Sequence, residues 1–278
     1  MKRLLISIAA LLVFLSAGAG TITKNFVNLK KFTGVQICNA FRATLVQGDD
    51  YKAVVTIDTD YEEYLDVSVV GTVLYVRLKE NGLKGNIRLL GKKKLLVTIT
   101  CPELNQIYLT GSALLASDDL WTSPMETFTL DLSGAAKADN LRIEGSCLKA
   151  IVEGSSNATV TGDFSTVEVG IGGSSALFLV GNYEEVKVDA AGSSKMSFIG
   201  TADYLECQCK GSSFLDAMEL KTSDAIIRCN GASKSTIFVR ESLDVELKGA
   251  SSCQYRSDSE SLNVIPDISR ASSFKRLH

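Results

Sequence analysis

The chain of 278 residues carries a formal net charge of −3 at neutral pH. So balanced a charge gives little attraction to a nucleic-acid backbone, and we expect no nucleic-acid partner. The single histidine is the last residue, His278, which disfavours histidine-dependent catalysis and His-rich metal sites. Since no phosphate-binding motif is recognisable either, the sequence predicts a protein without a metal or a cofactor.

The N-terminus has the pattern of a secretory signal peptide. Two basic residues precede an unbroken apolar run from Leu4 to Leu15, and small residues follow as far as Ala19. The apolar run is too short to cross a bilayer, and no second hydrophobic span follows it. We predict a signal peptide over residues 1–19, a mature chain without a transmembrane segment, and export to the periplasm or the cell surface.

Residues 20–105 have the composition of an N-terminal β region. Runs of β-branched residues such as Val54-Val55-Thr56-Ile57 recur, and no long segment has the 3.6-residue apolar spacing of a helix. Turn signals such as Asn81-Gly82 separate the candidate strands. The basic run Lys92-Lys93-Lys94 is more typical of a solvated strand start than of a phosphate site. We predict that this region caps one end of the structure that follows.

A block of small residues, usually Gly-Ser-Ser, returns along the rest of the chain. Successive blocks begin 18 to 23 residues apart, most often 19 or 20. Spacing this regular indicates one structural coil per repeat. The blocks begin at Gly111, Gly134, Gly154, Gly173, Gly192, Gly211, Gly231 and Gly249, with a degenerate copy at Arg270.

Alignment of the repeats on this glycine predicts two strands in each coil. The residues two, four and six positions before the glycine are apolar in nearly every repeat, as are those four and six positions after it. A spacing of two places side chains on one face of a strand. Around Gly173, for example, the inward residues are Val167, Val169, Ile171, Leu177 and Leu179.

One polar column indicates that the coils stack. Five positions before the glycine, consecutive repeats carry Lys149, Glu168, Lys187 and Glu206. In a parallel ladder these positions lie ~4.8 Å apart, where opposite charges attract. A stack of hairpins would not bring them together. The predicted fold class is therefore all-β: a parallel, right-handed β-helix (β-solenoid) with coils of about 19–20 residues over residues 106–278.

Most of the cysteines are predicted to lie in the core. Four of the seven, Cys207, Cys209, Cys229 and Cys253, occupy apolar columns and are interpreted as small hydrophobic residues. Cys209 and Cys229 should stack in neighbouring coils. A disulfide between them is the alternative, although parallel side chains in a ladder are poorly oriented for one.

Four segments occur in a characteristic order. They are Phe32-Thr33-Gly34-Val35, Thr44-Leu45-Val46-Gln47-Gly48-Asp49, Cys101-Pro102-Glu103-Leu104, and the Gly-Ser-Ser coils from Leu109-Thr110-Gly111-Ser112 onward. In this order they resemble the head GIN domain of the putative auto-transporter adhesins of Bacteroidetes. The resemblance implies a right-handed β-helix at the cell surface or in the periplasm, and it implies no catalytic or binding residues.

Two features are candidates for binding. The first is the column seven positions after the glycine, with Leu141, Val180, Ile199, Met218 and Phe238. Strict alternation points it outward as an apolar stripe, whereas a bend at Gly181 and Gly200 would turn it back inside. The second is the sole tryptophan, Trp121, in the longest coil, which either is presented by a loop or covers the core of the first coils.

An enzyme on this fold would need clustered outward carboxylates. Asp131, Asp189 and Glu246 share an outward column, but other residue types separate them. The sequence therefore favours an exported, non-enzymatic adhesin or cell-envelope interaction protein. A polysaccharide lyase or glycosidase is the alternative. The expected partner is a protein or glycan at the cell envelope, and the chain could also form a homo-oligomer.

Overall fold

The computed structural model describes residues 11–12, 20–79, 94–123 and 125–277, and nearly all its regular structure is β-strand. A short 3-10 helix covers Thr59–Tyr64. The strands are Leu11–Leu12 (β1), Thr21–Phe26 (β2), Gly34–Ile37 (β3), Arg42–Gln47 (β4), Lys52–Asp58 (β5), Leu65–Val70 (β6), Val73–Leu78 (β7), Leu95–Cys101 (β8), Gln106–Leu109 (β9), Leu114–Ala116 (β10), Leu120–Thr122 (β11), Thr127–Leu132 (β12), Lys137–Val152 (β13), Asn157–Thr161 (β14), Phe164–Ile171 (β15), Ala176–Ala190 (β16), Lys195–Cys209 (β17), Phe214–Cys229 (β18), Lys234–Leu247 (β19), Ser252–Arg256 (β20), Asn263–Ile268 (β21) and Ser273–Arg276 (β22).

The chain winds into a stack of coils held by two parallel ladders. The first ladder contains the strand before each corner glycine, in the order β7, β3, β9, β12, the end of β13, β15, the ends of β16 to β19, and β21. The second ladder contains the strand after each glycine, from β8 and β4 through β10 and the starts of the long strands to β20 and β22. The predicted all-β parallel solenoid is confirmed, while its right-handed winding stays a prediction.

The strand register follows the repeat read from the sequence. Val167 pairs with Val186, which pairs with Leu205, so each step is 19 residues. Lys187 pairs with both Glu168 and Glu206, as the alternating charges predicted. The Lys187 ammonium is nevertheless bonded to Glu185 Oε1, at 2.8 Å, because that carboxylate stands two residues away on the same strand face. The column therefore contributes favourable electrostatics, while the ion pair of Lys187 is made within its own strand.

The core is the inside of the stack. The predicted inward columns are buried in both ladders: Val167, Val186 and Leu205 are fully enclosed, and so are Leu177 and Met196 to within 2%. Since burial of each such side chain contributes roughly 1.5–3 kcal/mol, the solenoid is stabilised by a continuous apolar column along its length.

The glycine corners fix the close stacking of coils. Every corner glycine from Gly111 to Gly249 has a positive φ, between 71° and 86°. At Gly173 the carbonyl oxygen accepts a hydrogen bond from Ser193 N at 2.7 Å, one residue after the glycine of the next coil. The backbones approach so closely that a Cβ atom at these positions would meet the carbonyl of the coil below. Glycine is thus required at the corner for two independent reasons, the positive φ and the lack of space for a Cβ atom.

Antiparallel strand pairs extend the sheet at its N-terminal end. β8, whose other edge runs parallel to β4, pairs with β5, which pairs with β2. β6 and β7 form a hairpin beside the first ladder. β3 and β4 run in the same ladders as the later strands and add a coil ahead of residue 106, where the sequence suggested the solenoid begins. Most of the predicted signal peptide, Asn81-Gly82, Lys92-Lys93 and His278 lie outside the described residues.

The last coil is formed by β21 and β22 at the other end. Its inward side chains Val264, Ile268 and Phe274 are only half-buried, because no further coil among the described residues covers them. Phe274 stacks on Tyr255 with ring centroids 5.0 Å apart. The edge residues Pro266 and Lys275 are exposed, and such residues discourage further strand pairing.

Candidate binding surface on the second ladder

The outer face of the second ladder carries apolar side chains in its middle coils. In β16, Leu177 and Leu179 point inward and are buried, so the alternating residues Phe178 and Val180 point outward and are half-buried. Ile199 in the next coil pairs with Val180 and is half-buried as well. These three residues form a continuous apolar surface across two coils.

A small residue, Ser197, lies at the centre of this surface. Strand register places Phe178 on one side of it and Asp216 on the other, along the stacking direction. Lys195 and Ile199 lie two residues to either side on the same strand face. Because the neighbours are larger than a serine, the surface is depressed at Ser197; we call this feature the Ser197 depression.

The Ser197 depression has two connected lobes, which share Ser197 and Asp216. One lobe, of about 300 Å³, is lined by Phe178, Phe214, Lys195 and Asn157, among others. The other, of about 150 Å³, is lined by Ile199, Met218 and Glu219. The site is therefore shallow, apolar on its walls and polar around its floor.

The Asp216 carboxylate is held in a fixed orientation. Its Oδ1 atom accepts a hydrogen bond from Thr236 Oγ1 at 2.9 Å and a second from the Met218 backbone N–H at 3.3 Å. Thr236 pairs with Asp216 in the next coil, so the ladder itself positions the donor. A carboxylate oriented in this way can accept hydrogen bonds from a ligand with little loss of side-chain entropy.

The predicted stripe is only partly assembled. Val180 and Ile199 are adjacent as predicted, but β18 bulges after Ala217, so that Ile199 pairs with Glu219 instead of Met218. Phe238 pairs with Lys221 and lies under the guanidinium of Arg240, 5.7 Å from its ring.

The extra residues in β18 shift the register and interrupt the row. Met218 still borders the Ser197 depression, whereas Phe238 does not line it. Leu141, in the same column, is fully buried because a bulge in β13 between Ala138 and Leu141 places it in register with the inward residue Val160; a bulge, and not the predicted bend, turns this member inside.

Trp121 lies in the core. It is fully buried, and its indole Nε1 donates to Ser117 Oγ at 2.8 Å. Ser117 in turn donates to the Leu45 carbonyl at 3.1 Å, so the indole is connected to β4 of the first coil. The interpretation of Trp121 as a contact residue is therefore wrong. Its ring closes the first coils and leaves no surface for a partner.

Phe178 and Phe214 were not among the residues singled out from the sequence. They stand five and three positions after their corner glycines, in columns that, apart from Leu114, are otherwise small or polar. A search for columns that stay apolar in every coil passes over such isolated aromatic residues. The sequence did show that each of these aromatic residues occupies an outward position. Only the strand register shows that the two lie near each other, two coils apart.

Comparison with known families agrees with this architecture. A profile of the family described as putative auto-transporter adhesin, head GIN domain, matches residues 31–181 and again residues 152–258. The chain belongs to this family. The profile matches twice with overlap because a repeat of coils can be aligned in more than one register. No protein of established, curated function matches the chain.

Solved structures share the head GIN domain fold at low identity. A putative adhesin from Parabacteroides distasonis superimposes with a TM-score of 0.65 at 13% identity, over 92% of this chain and 97% of the other. A putative adhesin from Parabacteroides merdae gives 0.61 at 16% identity, over 93% and 97%. A protein from Parabacteroides distasonis named a putative lipid binding protein gives 0.60 at 17%, over 93% and 97%. At this identity the likeness establishes the fold alone.

The three outward carboxylates that the sequence offered as a catalytic row are far apart in this head GIN domain. Asp131, Asp189 and Glu246 occupy one row of the first ladder and are separated from one another by two intervening coils. Three coil spacings amount to about 14 Å, beyond the separation of the two carboxyl groups in a glycosidase. Glu246 is bonded to Arg228 at 3.5 Å and to Lys248. Burial, with a contribution from Glu153, raises the pKa of Asp131.

The cysteines are free thiols. Cys207, Cys209, Cys229 and Cys253 are buried, as predicted from their columns, and Cys101 is buried too. Cys209 pairs in register with Cys229, and its Sγ lies 3.5 Å from that of Cys207. Among residues 11–12, 20–79, 94–123 and 125–277, no group of three or more Cys, His, Asp or Glu residues is arranged to hold a metal ion.

Proposed function

We propose that this protein is an exported, non-enzymatic adhesin or cell-envelope interaction protein that contacts its partner through the outer face of the second ladder, around the Ser197 depression. One observation carries the proposal: Phe178, Val180 and Ile199 form a contiguous, half-exposed apolar surface on a rigid sheet. Apolar side chains that are grouped on an outward sheet face, rather than scattered singly, favour an interaction surface over an ordinary solvated strand.

Family and sequence support the envelope as the place of action. The head GIN domain family is described as putative auto-transporter adhesins, and the N-terminus has the pattern of a signal peptide. Over the part of the chain that the structure describes, no helix has the length and hydrophobicity needed to cross a bilayer. The wide separation of Asp131, Asp189 and Glu246 argues against the hydrolytic site that this row of carboxylates would have formed.

The contact surface is tested with protein-coated beads and envelope vesicles prepared from the native bacterium. Wild-type beads should retain vesicles, and Phe178→Ser with Ile199→Ser should reduce retention at least about tenfold, because both outward apolar side chains are lost. The matched control is Ile151→Ser with Ile226→Ser, two half-buried outward residues of the first ladder. The control should bind like the wild type, and all three proteins should unfold at similar temperatures.

Four outcomes would contradict the proposal. Beads that retain no vesicles, or equal losses for the patch and control variants, would reject this face as an adhesive surface. A wild-type dimer that becomes a monomer only in the patch variant would instead identify a second copy of the chain as the occupant. Release of reducing ends from envelope polysaccharide by the wild type would favour the enzyme alternative.

A further inference from the structure

The Ser197 depression has the chemistry of a saccharide site, and we propose that it binds a neutral glycan chain. This inference rests on the proposed function and names the ligand class of the same surface. It depends on three properties of the depression: its shape, its pairing of aromatic with polar groups, and its charge.

The shape suits sugar rings lying on a sheet. The two lobes, of about 300 and 150 Å³, are open and shallow, so a ligand would lie across the strands and stay partly in solvent. A buried acyl chain would need a deep apolar tunnel, which neither lobe provides. Successive coils are ~4.8 Å apart, about the length of one pyranose unit, so adjacent sugars could follow adjacent coils.

The lining combines apolar and hydrogen-bonding groups in the way a pyranose requires. Phe178 and Phe214 stand two coils apart and flank the larger lobe, each offering a ring to the apolar C–H face of a sugar. Asp216 lies in both lobes, and its orientation is fixed by Thr236 and Met218. Both of these hydrogen bonds are accepted by Oδ1, and Oδ2 can accept from sugar hydroxyl groups.

The charges favour a neutral ligand over an anionic one. Lys195 is the cation lining the depression, and Asp216 and Glu219 lie in the same lining. A phosphate or uronate polymer would meet this pair of carboxylates with one lysine to offset them. A ligand rich in hydroxyl groups meets donors and acceptors without that penalty.

The test fills the depression and removes its acceptor. The purified protein is placed on an array of neutral and acidic glycans, and each hit is measured by calorimetry with the corresponding hexasaccharide. Ser197→Phe fills the depression, and Asp216→Asn removes the charged acceptor. Each should weaken binding of a neutral hexasaccharide at least about tenfold. Gln254→Phe, an equivalent addition at an exposed outward position in the same column, should leave the affinity unchanged.

A second measurement separates a glycan from a protein partner. Retention of envelope vesicles by wild-type beads should survive protease treatment of the vesicles and should be lost after periodate oxidation of their sugars. The inference is overturned if no neutral glycan binds, if acidic glycans bind more tightly, or if Ser197→Phe binds like the wild type. Vesicle retention that is sensitive to protease and to Phe178→Ser would leave the adhesive surface in place and reject the saccharide.

Discussion

A Cβ atom on Gly192 would lie 2.6 Å from the carbonyl oxygen of Gly173 in the preceding coil. Gly192 also has a φ of 75°, a conformation that L residues adopt at a cost. Gly192→Ala should therefore lower the free energy of unfolding by at least about 2 kcal/mol, measured by urea denaturation. Gly170 is the matched control, because an added Cβ there meets nothing within 4 Å. Gly170→Ala should be neutral or stabilise by up to about 1 kcal/mol. Similar losses at both sites would contradict the role assigned to the corner glycines.

Inward and outward residues on one strand should respond differently to a charge. Val188 is 3% exposed and pairs with Val169 and Cys207, so Val188→Asp would bury an unpaired carboxylate and cost about 3 kcal/mol or more. Lys187→Asp, one residue away and exposed, should cost about 1 kcal/mol, mainly through loss of its contact with Glu185. Denaturant titration of both variants measures the difference. Equal losses would reject the assignment of strand faces.

Thiol labelling should proceed in two phases. Cys38 and Cys147 are partly exposed, whereas Cys101, Cys207, Cys209, Cys229 and Cys253 are buried. In the native protein an alkylating reagent should modify only the first two, and the other five should react together on unfolding. Mass spectrometry of tryptic peptides gives the order of labelling. A peptide in which Cys209 is linked to Cys229 would overturn the free-thiol assignment.

Stability should fall at alkaline pH. Burial raises the pKa of Cys101 and of Cys253 to about 12, from an ordinary value near 9. Below pH 9 both thiols are protonated in the folded and unfolded chains, so their contribution to stability is complete. As the pH rises from 9 toward 12 the unfolded chain loses these protons first, and stability decreases by up to about 1.4 kcal/mol per pH unit for each thiol.

The slope of this decrease identifies the groups responsible. Cys101→Ala with Cys253→Ala should reduce the slope of the unfolding free energy against pH between 9 and 11. A slope should remain, because hydrogen bonds among the neighbouring thiols also raise the pKa of Cys209 and of Cys229. Val169→Ala, which removes buried apolar volume without a titrating group, should lower the whole curve and keep its slope. An unchanged slope in the cysteine variant would show that these thiols do not control alkaline unfolding.

The sole tryptophan offers a probe of the first coils. Because Trp121 is fully buried and bonded to Ser117, its fluorescence in the native protein should be blue-shifted and poorly quenched by iodide. Unfolding should shift the emission to the red and expose it to the quencher. Strong quenching in the native protein would place the indole at the surface and restore it as a contact residue.

The regular spacing of the glycine blocks in the sequence determined the length and the path of each coil. Glycine-aligned columns of apolar residues fixed which side chains of β15 to β19 enter the core, because a strand alternates its faces and each coil repeats the same path. The corner glycines followed from the same alignment. The family resemblance, carried by four ordered segments, agreed with the family assignment.

Only the tertiary structure decided where the surface residues meet. The bulge in β18 displaced Met218 from the row of Val180 and Ile199, and no count from the nearest glycine locates such an insertion within a coil. Trp121 bonds to Ser117 in its own coil, and Ser117 in turn bonds to the Leu45 carbonyl in the preceding coil. The Ser197 depression exists because a small residue in one coil lies between Phe178 and Asp216 in its two neighbours. Periodicity fixes the direction in which a side chain points, whereas a site depends on the particular residues that adjacent coils place beside it.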